Sequence, residues 1–569
     1  MGSDSSQQKI FSRNSSGLVR EISTSQAFIY NFMAIGFYGF TWATLFSFGY
    51  TASFLGANVG LAIVLMAVSA IPFYLSTSML STAMPRAGGD YVWQSRVLHP
   101  SIAFASTFSA WTVWQWYFAS FLGVVITTVG FQPLYALLGL TNTGDANFAA
   151  TLAAGYGQID NTPVFVITTA VILLGFLVAA LGIRFYVRLQ YFLFAGNALS
   201  AFTLLAILAS TSHAQFVSKF NAFTLPLVEA GNQSQVSTAN VTAANGYYNY
   251  LLSTAAHESI ATSAPFNLGN TLLLFGIIWI SFGYAFWSIY NLGEIKKAGN
   301  LRNQAIMQIG CSLIFAVFLL ALWYLIENVI GLPFLHAFYQ LYYQGDPSTN
   351  PLAFFYTPYY PALVASLSSS TTIWALILGL SSFGFFQVIL IVYFASTRIM
   401  LAASLDRVLP ERISYVTARG HSPIVALIIS AIGCEAFLYL IVYYQPLTSY
   451  FSTAGLATQI AYVLISITAI VFPFRKKQIF EASPAAKYKI AGFPILSLAG
   501  ILSLIVNLYI GWIFIGGPPL SFLSVYTASS LEFVIGIFLI CFIIYWIAYG
   551  VRRSQKIDLM LSFAEIPPE

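Results

Sequence analysis

Twelve stretches of the chain stay apolar for about 20 residues or more, the length an α-helix needs to cross the hydrocarbon layer of a membrane. They run Phe28–Leu55, Val59–Met84, Ser101–Phe131, Pro163–Leu181, Phe185–Ser210, Leu272–Leu292, Ala305–Ile330, Thr372–Ser396, Ile424–Tyr444, Phe451–Phe472, Phe493–Ile515 and Leu531–Val551. No water reaches a lipid-facing amide, so such a segment must satisfy its own backbone as a helix. Only 7% of the 569 residues are charged and 58% are hydrophobic, too little polar surface to coat a soluble body of this size. The expected class is an all-α polytopic membrane protein with twelve transmembrane helices.

The charges give the orientation. With both termini in the cytosol, every Lys and Arg of the 23 except Lys219 falls in an inner loop or tail, the segregation that cytoplasmic loops of inserted proteins display. The net charge of +5 is therefore a signature of topology, and no nucleic-acid partner is expected. The start of the chain has no apolar core before Phe28 and reads as a short cytosolic tail, with no cleavable signal. The division expected is a tail over 1–27, five helices over 28–210, an outer loop over 211–271, five helices over 272–472, an inner loop and two closing helices over 473–551, and a tail over 552–569.

The outer loops are long and nearly uncharged, as suits an acidic exterior. The first holds the sequons Asn232-Gln233-Ser234 and Asn240-Val241-Thr242, either glycosylation acceptors or products of an Asn/Ser/Thr-rich composition. The second, Gly331–Ser370, is rich in tyrosine and reads as a packed lid or vestibule. Cys311, Cys434 and Cys541 lie in apolar runs as small packing residues. Five histidines sit at or beyond span ends without ligand spacing, so neither metal nor cofactor is expected.

Function is carried by the stretch Phe275–Gln304, whose apolar run passes through Ser281-Phe282-Gly283-Tyr284-Ala285-Phe286 and ends in Glu294, Lys296 and Lys297. A glycine among aromatic rings at mid-span points to a locally opened helix lining a cavity. The first span carries a counterpart, Ile35-Gly36-Phe37-Tyr38-Gly39-Phe40. Each interruption heads a set of five spans, and an odd number turns the second set upside down. This is the pattern of a 5+5 inverted repeat whose broken helices, one and six, meet at the midplane. The alternative is that these glycines permit close helix packing.

Three inner-face motifs carry a family resemblance: Met84-Pro85-Arg86-Ala87-Gly88-Gly89-Asp90-Tyr91-Val92; Gly293-Glu294-Ile295-Lys296-Lys297 with Asn300, Arg302 and Asn303; and Ser396-Thr397-Arg398 with Ala403, Asp406, Pro410, Ser422 and Pro423. In this order they resemble the amino acid-polyamine-organocation superfamily of permeases, over spans one to ten. The resemblance implies an amino acid held between opened spans one and six. Its carboxylate would lie on first-span amides of Ile35, Gly36, Phe37, Tyr38, Gly39, Phe40 and Thr41, and its side chain against Phe282, Tyr284 and Phe286. Ser281 and Gly283 belong to the same opened segment. Trp111 and Trp114 of span three either wall that site or pack between helices. Glu294 and Lys296 would belong to an inner gate.

Departures from the family narrow the reading. Gly39-Phe40-Thr41 replaces the usual Gly-Ser-Gly, Ala298 replaces a usual proline, and Phe286 stands where an acidic residue is frequent. Spans one, three, six and eight offer no buried carboxylate to a polyamine, so a neutral, apolar or aromatic amino acid is expected. Ser381 and Ser382 in span eight either coordinate Na+ or bond their own helix. Asn197 stands where proton-coupled relatives carry a span-five lysine. Glu435, isolated in span nine, is a functional group or a structural contact. The expectation is a non-enzymatic secondary transporter of the cytoplasmic membrane working by symport or antiport, with the amino acid, Na+ or H+, and the lipid bilayer as its partners. A solute sensor on the same fold and a lipid-carrier transferase are the alternatives.

Overall fold

The computed structural model describes residues 17–35, 50–140, 161–229, 236–344, 360–444, 451–516 and 528–564. Among them eleven helices are long and apolar enough to cross a membrane: Val59–Ala83, Pro100–Tyr135, Thr162–Ala180, Ile183–Ala209, Leu268–Glu294, Leu301–Val329, Thr371–Leu405, Ile424–Tyr443, Gly455–Arg475, Ile495–Ile515 and Leu531–Ser554. They correspond to expected spans two to twelve. Of span one, the helix Thr24–Ile35 and a turn at Tyr50–Ser53 are described. The chain is an all-α polytopic membrane protein; its one sheet among the described residues is a hairpin pairing Lys489 with Pro494 and Ile490 with Phe493.

The spans sort by burial. Span six is almost wholly enclosed, whereas span twelve leaves Ile535, Leu539, Ile543 and Ile547 open at four-residue spacing, the stripe of one helix face. That stripe has lipid as its natural solvent, so it needs no protein partner. Spans three, six and eight instead form the packed centre, and span three departs from regular helix at Ser109–Val113 and Ile126–Phe131, where the turns widen. Such insertions re-aim the side chains that follow them.

The outer segment between spans five and six is built differently from the plain loop expected. It contains helices His213–Glu229, Thr238–Ala243 and Tyr247–His257, the second carrying Asn240; Asn232 lies outside the described residues. Tyr248 stacks on Phe334 of the next outer helix, Leu332–Gln344, with ring centroids 4.2 Å apart. Apolar rings at helical spacing let this polar-rich stretch bury a core of its own, and the two outer segments form one cap.

That cap closes on the end of span one through neutral hydrogen bonds. His336 is buried between the Thr262 carbonyl, 2.8 Å from Nδ1, and the Thr51 hydroxyl, 3.1 Å from Nε2. A carbonyl only accepts, so Nδ1 carries the proton and Nε2 accepts from Thr51. Burial holds the imidazole below its ordinary pKa, with the Thr262 bond opposing. The amide of Gln340 donates to the Ala52 carbonyl at 3.1 Å, and that of Asn270 to Leu55 at 2.8 Å.

Candidate functional site

Span six opens where the sequence places glycine among aromatics. Helix Phe275–Phe282 stops, Gly283 to Phe286 make turns, and the chain resumes as the tight helix Trp287–Glu294. Freed backbone groups buried here must find partners elsewhere, and side chains of other spans supply them. The Tyr462 hydroxyl donates to the Gly283 carbonyl at 2.9 Å, the Ala285 amide donates to the Tyr74 hydroxyl at 3.3 Å, and the Ser288 amide donates to Asn31 Oδ1 at 2.8 Å. Asn31 is fixed in turn by donating to the Met307 carbonyl at 2.8 Å. A Cβ on Gly283 would lie 2.9 Å from the Tyr462 oxygen, so this close approach requires glycine.

Trp111 stands at the centre of the rings around the break. Its indole packs against Tyr284, Phe286, Trp287, Tyr290 and Tyr462 at centroid distances of 5.5 to 6.5 Å. Phe73 of span two closes the group edge-on to Phe286 at 5.2 Å and Tyr462 at 5.0 Å. Edge-to-face aromatic pairs of this kind each contribute about 0.5–1.5 kcal/mol beyond area burial. The result is an apolar wall of rings beside the buried backbone of the break, whose Gly283 carbonyl and Ala285 amide are held by the Tyr462 and Tyr74 hydroxyls.

The other expected residues divide. Tyr284, Phe286, Gly283 and Trp111 come together, and Ser281 lies buried at the end of the first half-helix with a hydroxyl that has no partner among the described residues. Phe282 packs away from the group, 5.1 Å from Phe315 of span seven. Trp114 also faces elsewhere, toward Tyr117 and Phe533 of span twelve. Ile35 is the buried last residue of the described first-span helix; Gly36, Phe37, Tyr38, Gly39, Phe40 and Thr41 lie outside the described residues.

In span eight the Ser381 hydroxyl donates to the Leu378 carbonyl of its own helix at 2.7 Å, while the buried Ser382 hydroxyl has no partner among the described residues. Span five lies alongside: Ser200 donates to the Ile377 carbonyl at 2.8 Å, and Asn197, buried, leaves its amide nitrogen unpartnered there. Glu435 accepts from Thr169 of span four at 3.0 Å, a contact that ties spans four and nine. No His, Cys, Asp or Glu cluster with the makings of a metal site occurs among the described residues.

Beneath the ring cluster, the three motifs assemble one inner face. Glu294 and Arg398 form a fully buried two-pronged pair at 2.8 and 3.0 Å, with the guanidinium also 4.8 Å from the Phe394 ring centre. The N-terminal segment straps across it: the amides of Glu21 and Ile22 donate to the Glu294 carbonyl at 2.8 Å, and the Lys296 amide donates back to Ile22 at 2.8 Å. The Lys296 side chain is exposed. A second buried pair, Arg96 with Asp406 at 2.6 and 2.7 Å, joins the helix Asp90–Val97 that continues motif one to motif three, and Phe563 covers it from the C-terminal segment at 5.2 Å.

The double glycine of motif one makes this assembly possible. Gly88 and Gly89 have φ of 95° and 51°, values open to glycine at little cost. A Cβ on Gly89 would come within 2.7 Å of Ile289 and one on Gly88 within 2.6 Å of Ala402. The turn is thus wedged between spans six and eight, and it delivers the fully buried Asp90 to the Trp111 indole, which donates to Oδ2 at 3.1 Å.

Asp90 belongs to none of spans one, three, six and eight, where no buried carboxylate is expected; it reaches the ring cluster from the turn between spans two and three. Asp90, Tyr462, Phe73, Tyr74 and Asn31 all fall outside the site expected from the sequence. Only Asp90 carries a local signal, an acidic residue inside a Gly-Gly turn flanked by apolar spans.

No curated protein matches the chain. The family described as amino acid permease matches residues 22–538, a range that takes in all three inner-face motifs, the opened span six and the spans that satisfy its backbone. This protein therefore belongs to the amino acid permease family of the amino acid-polyamine-organocation superfamily.

Proposed function

We propose that the protein is a secondary active transporter of a neutral, apolar or aromatic amino acid in the cytoplasmic membrane, working by alternating access with both termini cytosolic. The observation that carries this reading is the open backbone at Gly283 to Phe286 facing the Trp111 ring cluster. A bound ammonium and carboxylate would take the places on these carbonyls and amides that the Tyr462 and Tyr74 hydroxyls hold, and the rings match an apolar side chain. The first-span amides at Ile35 to Thr41 complete the site in this reading, as the positive end of a broken helix favours an anion. Two inverted sets of five spans, 28–210 and 272–472, would rock about the site, with Glu294 and Lys296 at the inner gate. Coupling is to an ion or to exchange.

The test is counterflow. Purified protein in liposomes preloaded with one amino acid at millimolar concentration is expected to draw in the same labelled solute, and Phe or Leu should compete better than Lys or Asp. Absence of counterflow for all twenty amino acids, with protein that is folded and inserted, refutes the proposal.

A further inference from the structure

The turn between spans two and three holds a carboxyl that the inner-face ion pairs leave unmatched. Three carboxylates are completely buried near the inner face: Glu294, Asp406 and Asp90. The first two each receive a two-pronged arginine. Asp90 receives only neutral donors, with Oδ2 accepting from the Trp111 indole at 3.1 Å and the Gln94 amide at 3.0 Å. The Tyr290 hydroxyl and the backbone amides of Asp90 and Tyr91 also lie beside the carboxyl and favour its ionised form, and no arginine or lysine reaches it.

The charged and titratable groups on the surrounding elements do not change this. On its own turn and helix, Arg86 bonds the Pro85 carbonyl and Arg96 is committed to Asp406. From span eight, Arg398 is committed to Glu294. His99, at the start of span three, bonds Ser101. Span six presents the hydroxyl of Tyr290, and span ten that of Tyr462, which donates to the Gly283 carbonyl.

We propose that Asp90 is the proton-binding site that couples this carrier to a transmembrane proton gradient, an inference that rests on the transport reading above. A buried carboxylate without a cation favours its neutral form, and burial raises the Asp90 pKa to about 7, with Tyr290 and Trp111 opposing. The group therefore changes charge over the pH difference that a living membrane maintains. Its position transmits that change in two directions. Through the indole bond it acts on Trp111, and so on the wall at Tyr284 and Phe286. Through the turn it acts on the inner half of span six, because the Gly88 amide donates to the Tyr290 carbonyl at 3.1 Å.

The proton balance is simple. In the outward-facing state that the transport reading requires, the carboxylate takes one proton, giving a neutral acid that adds one O–H donor beside Tyr290. When the inner half of span six moves, the same proton leaves to the cytosol and the carboxylate is restored. One proton thus enters with each amino acid, and no other co-reactant is consumed.

The experiment uses the full chain in sodium-free liposomes containing pyranine, with a solute first identified by counterflow. An outside-acid gradient is expected to drive accumulation of that solute and to acidify the lumen. Asp90→Asn should lower the ratio of gradient-driven accumulation to counterflow by up to about tenfold for an imposed gradient of about one pH unit, the free energy of one proton moved across it, and Asp90→Glu should restore it. The proposal is overturned if Asp90→Asn keeps the wild-type ratio, if the folded variant loses counterflow as completely as accumulation, or if net uptake of the solute by the wild type, driven by a solute gradient alone, moves no protons. Failure of all counterflow in the wild type instead refutes the transport reading. Should Asp90→Asn not fold, Trp111→Phe decides: loss of the indole donor should move the pH midpoint of transport up by about one unit, and an unmoved midpoint overturns the assignment.

Discussion

The two faces of this permease are closed by different chemistry. The inner face is held by the buried pairs Glu294–Arg398 and Arg96–Asp406, overlaid by both terminal segments. The outer face is held by neutral bonds from His336, Gln340 and Asn270 to the end of span one, together with stacked rings. Buried ions are costly to separate, so the inner closure comes apart only if both partners remain matched or gain water together. Neutral bonds exchange with water at little net cost, about 0.5–1.5 kcal/mol each. An inner face that opens as a unit and an outer face that yields bond by bond is the expected consequence.

The largest effect expected from breaking this contrast is at the inner pairs. Arg398→Met leaves Glu294 buried and unpaired and should cost about 3–5 kcal/mol, read as loss of thermal stability in detergent. The double variant with Glu294→Gln should recover most of that loss. A single variant no worse than the double would show that the pair is not desolvated. Next comes Gly89→Ala, which forces a Cβ toward Ile289 in a left-handed conformation. A cost of about 1–3 kcal/mol is expected, and a stability within error of wild type would mean that the turn is free to move away from span six.

At the outer face His336→Ala should cost about 1–2 kcal/mol, clearly less than Arg398→Met. Lys296→Ala, an exposed side chain, should change stability by no more than about 0.5 kcal/mol whatever it does to transport.

The faces also titrate with opposite sign, which sharpens the comparison. The His336 pKa is lowered in the fold, so its contribution is intact above the ordinary value of about 6.5 and is lost as pH falls, when the unfolded chain takes the proton that the buried ring refuses. The Asp90 pKa is raised to about 7, so the unfolded chain ionises first and stability falls as pH rises from about 4 to 7. Melting curves should therefore show the gap between wild type and Asp90→Asn widening toward neutral pH and then levelling. Over the same range, the gap for His336→Ala should narrow toward acid. Parallel curves for both variants would remove the electrostatic distinction between the faces.

Much of the molecule is legible in its amino-acid order. Apolar runs specify the spans because the cost of placing a residue in lipid depends on that residue and its depth. The opened helix at Gly283 is legible for a similar reason: a glycine between rings is a local feature. The outer cap is not, since its helices declare themselves only through rings such as Tyr248 and Phe334, separated by a whole span pair. Trp111 and Trp114 look alike in sequence, yet one faces the opened helix and the other faces span twelve. The widened turn at Ser109–Val113 precedes Trp114 and includes Trp111, so simple helical periodicity misplaces them.

The sequence by itself determined that this chain is a bundle of membrane helices with a glycine-opened sixth span and a charged inner face. Tertiary structure alone decided which charges on that face cancel. Arg96 meets Asp406 and Glu294 meets Arg398 across separations of 310 and 104 residues, while Asp90 is left with neutral donors. The reason is that burial and pairing are properties of neighbours in space. A carboxylate's protonation is set by the donors that surround it, and those arrive from helices whose order in the chain says nothing of their distance.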